Sequence, residues 1–199
     1  MNMKQSRREL NKIQCRRRIL NASRLLFSSD GYDSTTIEAV AAQAEVSKAT
    51  LYNYFPSKDS LLLGIAEAEL NEVHQLLQNE LAAVPSAVDK LRRVLRTFVD
   101  QSLDCPPLSR KITYLNSCEE SDLYAARLEM LQLLRRLAEE GLARGEFRRD
   151  VSAGELVDLF MGVYLVAQFQ WNDLAGGSDE QRARRLDRFL RLALAGVLV

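Results

Sequence analysis

The stretch QRARRLDRFLRLALAGVL, residues 181–198, places Leu186, Phe189, Leu190, Ala193, Leu194 and Val197 at steps of three and four. That spacing winds onto one face of an α-helix as a broad apolar stripe. AGELVDLFMGVYLVAQFQW at 153–171 is apolar around most of its circumference, as a helix buried on more than one side would be. No stretch alternates apolar and polar residues for long enough to predict a strand. Helix starts recur instead. Thr35 with Glu38, Ser86 with Asp89, Ser152 with Glu155 and Ser178 with Gln181 have capping-box spacing, while Ser47, Ser57 and Ser121 read as simpler N-caps. The stops are Asp30-Gly31, Pro56-Ser57, Pro85-Ser86, Cys105-Pro106-Pro107, Gly145 and Gly176-Gly177. These signals predict an all-α chain of about nine helices. The first starts near residue 9, the second and third are short, and the fourth runs from Ser57 to about Ala83.

Within 35–55 the apolar positions Val40, Ala41, Val46 and Leu51 fall where a helix-turn-helix needs its internal contacts. At about 100° per residue, Leu51 and Phe55 lie on the inward side of the second short helix and Tyr54 on its inner half. Ala49 and Asn53 point outward, flanked by Thr50 and Tyr52. A small, polar outward face of this kind can approach base edges in a major groove, and Lys48 in the first turn has the reach to follow it.

Composition sharpens this. The 199 residues are 47% hydrophobic and 27% charged, with 9 Gly and 4 Pro, the balance of a globular helical protein. Net charge is zero, yet residues 1–24 hold two lysines (4 and 12) and six arginines (7, 8, 16, 17, 18 and 24) against Glu9 alone. Such a localised positive field suits a polyanion; Arg7 and Arg8 are placed to reach phosphates or a minor groove. No secretory signal or membrane span is expected, and three irregularly spaced cysteines give neither a disulfide framework nor a metal pattern, so a cytoplasmic setting is expected. No cofactor is implied. His74, the sole histidine, has no partner in the sequence, and no phosphate loop or nucleophile elbow occurs, so an enzyme is not expected.

The segment FSSDGYDSTTIEAVAAQAEVSKATLYNYFPSKDSLL, residues 27–62, resembles the tetracycline-repressor (TetR) family of transcriptional regulators. It has the aromatic before Gly-Tyr, the Thr opening helix two, Val-Ser entering helix three, Tyr-x-Tyr-Phe, and Ser-Lys-x-x-Leu opening helix four. Glu45 stands where the family often has Gly, so a left-handed turn residue is expected there at a cost of about 1 kcal/mol. The resemblance implies a helix-turn-helix DNA-binding domain at 1–56 and a ligand-binding and dimerisation domain at 57–199. It implies that Lys48, Ala49, Thr50 and Asn53 face base edges, and that Thr36, Ser47, Tyr52, Tyr54 and Lys58 position the phosphate backbone. It further implies a homodimer through the last two helices, aided by the small residues Gly162, Ala167, Ala193 and Gly196. Such a dimer would read a palindromic operator in double-stranded DNA with half-sites about 34–36 Å apart. A small-molecule effector would sit among His74, Phe98, Tyr114, Asn116, Cys118, Tyr124, Met130, Gln168 and Trp171, and release the repressor by mis-spacing its recognition helices through rotation of the fourth helix. Two rivals remain at this point. One is a redox-responsive DNA-binding regulator using Cys105, placed accessibly in a loop, and Cys118. The other is a helical enzyme or small-molecule binding protein with no DNA role.

Overall fold

A computed structural model describes residues 7–171 and 178–198. Among them lie nine helices: α1 (Arg7–Ser29), α2 (Ile37–Gln43), α3 (Lys48–Tyr54), α4 (Lys58–Asn79), α5 (Ala87–Asp104), α6 (Pro106–Asn116), α7 (Tyr124–Ala143), α8 (Ala153–Gln170) and α9 (Asp179–Leu194). The all-α architecture follows the helical periodicity. The described residues hold no strand, only an isolated antiparallel bridge between Phe147 and Leu198. None of their helices is long and apolar enough to cross a membrane. The chain forms two compact units, one running through Ile65 and the other starting at Ala66.

In the first unit, Ile19, Phe27, Val40, Ala41, Leu51 and Phe55 make the core, each at most 4% exposed. The helix-turn-helix turn is closed by Val46 N–H donating to Ala41 O at 3.0 Å. Glu45 takes φ +53°, the left-handed conformation expected of that turn residue. Gly64, early in α4, allows a close approach: a Cβ there would lie 2.7 Å from Phe55 Cε1 and 2.8 Å from Leu20 Cδ2. Phe55 can therefore pack closely on α4 at Gly64 and fix the end of α3.

The second unit is organised on α5. Val88, Leu91, Val94, Leu95, Phe98, Val99 and Leu103 all face inward, while Arg92, Arg93 and Arg96 keep to the outer side. They join one core with Leu133, Leu134 and Leu137 of α7, Leu156, Phe160 and Val163 of α8, and Leu186, Leu190 and Leu194 of α9. Burying each such leucine contributes roughly 1.5–3 kcal/mol before entropy is counted. Gly145, at φ +71°, ends α7, and Glu146 N–H reaches back to Gly141 O at 2.9 Å.

Several boundaries differ from the sequence expectation. Thr36, not Thr35, caps α2, accepting from Ala39 N at 3.1 Å. Thr35 is buried and donates to Gly31 O at 2.8 Å, fastening the loop to the end of α1, while Glu38 turns to Lys48. Ser121 closes a turn ahead of α7 rather than capping it, because burial of Leu123 sets the frame of that helix. Leu81 is likewise buried, and its N–H bends back to Leu76 O, so α4 stops at Asn79 instead of near Ala83. α9 ends at Leu194, since Val197 accepts from Arg148 N–H at 2.9 Å in the bridge region. Ser152 and Ser178 form both expected capping boxes, and Ser57 accepts from Ser60 N. Ser86 does accept from Asp89 N, but the reciprocal acid is Glu146, sixty residues away. The Gly176-Gly177 stop, Lys4 and residue 172 onward to 177 lie outside the described residues.

Candidate DNA-binding interface

Leu51 is fully buried and Phe55 nearly so, which turns the opposite side of α3 to solvent. Ala49, Tyr52 and Asn53 are exposed on that side, Tyr52 at 41%. Ser47 caps the helix, its Oγ accepting from Thr50 N at 3.0 Å and lying 2.8 Å from Thr50 Oγ1. Thr50 is thereby held half-buried at the edge of the face. Thr36 occupies the same capping position on α2. The structure thus brings Thr36, Ser47, Lys48, Ala49, Thr50, Tyr52 and Asn53 together on α2 and α3.

The two lysines are engaged in ways the sequence did not indicate. Lys48 pairs with Glu38 of α2, and its Nζ also lies 5.8 Å from the Tyr52 ring centroid. The hydrogen bond to Glu38 raises the Lys48 pKa, and the same bond holds Glu38 below its ordinary carboxylate value. Lys58 stacks on the Tyr32 ring at 4.4 Å and donates to Asp33 O at 3.2 Å. Tyr32 is itself fixed by donating its hydroxyl to Asp59; burial, followed by that carboxylate, pushes the phenol pKa up. A ten-residue separation carries no helical periodicity, so the Glu38–Lys48 pair had no sequence signature.

Tyr54 is half-buried, and its hydroxyl hydrogen-bonds Cys15 of α1. It borders an open basin whose other walls include Arg8, Lys12 and Arg18, so the ring stands between core and a cationic surface. Arg16 instead lies over Phe55 at 5.3 Å, whereas Arg17 and Arg18 are exposed. The arginine-rich start of the chain therefore divides between a packing cation and solvent-facing ones.

The residues predicted for an effector are distributed unevenly in the second unit. Phe98, Gln168 and Trp171 are buried, and Met130 packs against the same core. His74 is half-buried with Nε2 3.0 Å from Glu129 Oε1. Asn116, Cys118 and Tyr124 are half-buried, but Tyr114 is 68% exposed and faces solvent. Cys105 is 8% exposed at the α5–α6 junction rather than accessible in a loop, because Pro106 starts a new helix directly behind it. Burial of that thiol removes the exposure on which the redox reading depended.

Comparison with known proteins agrees with this geometry. Residues 19–65 match the bacterial regulatory proteins of the tetR family. Over 150 residues the chain is 32% identical to the nucleoid occlusion factor SlmA of Sodalis glossinidius, covering 70% of this chain and 74% of that one. The chain belongs to the tetR family. As a member of it, the protein is a DNA-binding transcriptional regulator. It is also 43% identical over 98 residues to the transcriptional repressor KstR of Rhodococcus jostii, 49% of this chain and 45% of that protein. Among solved structures, the tetR-family repressor FadR of Thermus thermophilus, determined with lauroyl-CoA, superposes with a TM-score of 0.62 at 27% identity. That match spans 92% of this chain and 95% of FadR.

Proposed function

We propose that the protein is a homodimeric repressor that reads a palindromic operator through α3 and leaves it when a small molecule occupies the second unit. The observation that carries the first half is the exposed Ala49–Tyr52–Asn53 face, held outward by buried Leu51 and Phe55. In this reading Lys48, Ala49, Thr50 and Asn53 meet base edges. Thr36, Ser47, Tyr52, Tyr54 and Lys58 hold phosphates, with Arg8, Lys12 and Arg18 adding long-range attraction. The last two helices form the dimer seam. Gly162 and Gly196 support it, since a Cβ at either would meet nothing within 4 Å of its own chain, whereas Ala167 is buried internally. α4 begins in the first unit and ends in the second, which makes it the covalent route for coupling.

Footprinting of the purified protein on the DNA upstream of its own gene tests this. Protection of two half-sites one helical turn apart, weakened by Tyr52→Ala, is the expected result. Protection that is absent at every salt concentration, or indifferent to Tyr52→Ala, refutes it. The 150-residue match to SlmA favours a second reading, a nucleoid occlusion role. Genome-wide binding at many dispersed sites without transcriptional change would select it.

A further inference from the structure

Three helices of the second unit converge on Tyr164. Ser102 Oγ of α5 donates to its hydroxyl at 3.1 Å, and Gln168 Nε2, one turn along α8, donates to it at 3.2 Å. Thr113 of α6 shares a third hydrogen bond with it. Phe98 closes the side of the cluster, its ring edge-on to Tyr164 at 6.2 Å.

This cluster leaves acceptors over. Gln168 is 1% exposed, and with its amide nitrogen committed to Tyr164 its Oε1 has no partner. Asn116 Oδ1 is also buried and unpaired; Asn116 stands three residues beyond Thr113, on the same side of α6. Gln101, next to Ser102, gives its amide nitrogen to Glu72 Oε2 at 2.9 Å, which fixes its orientation and leaves its own Oε1 unpaired. Buried acceptors are normally satisfied, and of these Gln168 is hydrogen-bonded to Tyr164 while Asn116 lies one helical turn from Thr113 beside it. Every one of them calls for a donor. The adjacent cation, Arg110, is directed to the Gln168 carbonyl oxygen, with contacts of 3.2 and 3.1 Å.

We propose that Gln168 and Asn116 form an effector subsite that takes an O–H or N–H donor on an otherwise apolar ligand and disfavours a carboxylate or phosphate at that end. The inference rests on the ligand-responsive reading above and narrows it to donor-bearing ligands. An anionic head group would set its own acceptors against protein acceptors, whereas a hydroxyl or amine satisfies them. The aromatic side chains Phe98 and Tyr164 supply contact area for the apolar body.

The test uses the full-length protein and small matched probes followed by ligand-observed saturation-transfer NMR. Phenol is compared with anisole, and 1-hexanol with methyl pentyl ether and hexanoate. Phenol and hexanol are expected to bind roughly tenfold more tightly than the ethers and hexanoate. Gln168→Leu is expected to abolish that preference, and Asn116→Leu provides a second, independent variant if the first folds poorly. Equal binding of ethers and alcohols, tightest binding by hexanoate, or no binding by any donor overturns the proposal. The two readings fail separately. If an anionic compound releases the protein from DNA and Gln168→Leu does not alter that release, the regulator stands and the donor subsite falls. If phenol and hexanol bind as expected but no bound compound affects DNA affinity, the subsite stands and ligand-responsive release falls.

Discussion

Replacing Glu146 is expected to loosen the N-terminus of α5, the helix on which the second unit is built. Its carboxylate accepts from Ser86 Oγ at 2.8 Å, Ala87 N at 3.0 Å and Val88 N at 3.0 Å. Ala87 and Val88 are buried, so their N–H groups have little access to solvent once the carboxylate is gone. Losing a helix cap costs about 0.5–2 kcal/mol, and stranding a buried N–H about 1–3 kcal/mol. Glu146 itself is only half-buried and water can partly replace it, so Glu146→Ala is expected to cost about 2 kcal/mol and lower Tm by about 6 °C. Glu146→Gln retains one acceptor oxygen and should cost about half as much. The effect depends on pH. Burial alone would raise the Glu146 pKa, but the hydrogen bonds from Val88, Ala87 and Ser86, with nearby Arg144, outweigh it and hold it below its ordinary 4.5. The folded state therefore binds this proton less readily than the unfolded chain. The stabilisation is complete above the ordinary value and is lost as pH falls through the depressed one. Thermal unfolding followed by circular dichroism should show a clear gap between wild type and Glu146→Ala near pH 7 that narrows towards about pH 4. A gap of equal size at both pH values, or no gap at neutrality, would refute the reasoning.

Other outcomes follow from the first unit. Gly64→Ala forces a methyl against Phe55 and Leu20 and should destabilise that unit by about 1–3 kcal/mol, read as a lower Tm and weaker DNA binding of the full chain. Glu38→Gln frees Lys48, and filter binding should show tighter association with random-sequence DNA and a steeper dependence on salt; an unchanged salt slope counts against the pair as a restraint. Lys58→Ala should weaken binding to all sequences alike, whereas Asn53→Ala should also relax the ranking of operator variants, measured by competition gel shift.

Helix type and number were legible because each apolar stripe and each cap is a local signal. The face of α3 was legible for the same reason: Leu51 and Phe55 are four apart and both buried, and Ala49 and Asn53 fall opposite. Frames set by burial were not. Thr35 and Thr36 are chemically equal, and only the pull of Thr35 into the core decides which one caps. Long-range pairings left no mark either. Glu146 completes the cap of Ser86, Cys15 holds Tyr54, and Ser102 meets Tyr164, each across sequence distances that no periodicity links. The accessibility expected of Cys105 failed on a related point. Pro106-Pro107 suggests a loop, but proline also suits the first turn of a helix, and α6 begins at once.

The seclusion of Cys105 equips the protein with an internal clock. A thiol reagent in solution reaches this sulfur only when the α5–α6 junction opens, so its labelling rate counts openings of that junction. Cys15 and Cys118, partly accessible and placed in different units, provide reference rates within the same molecule. Labelling in the presence and absence of a bound compound would then time how often the second unit breathes, with no probe added to the chain.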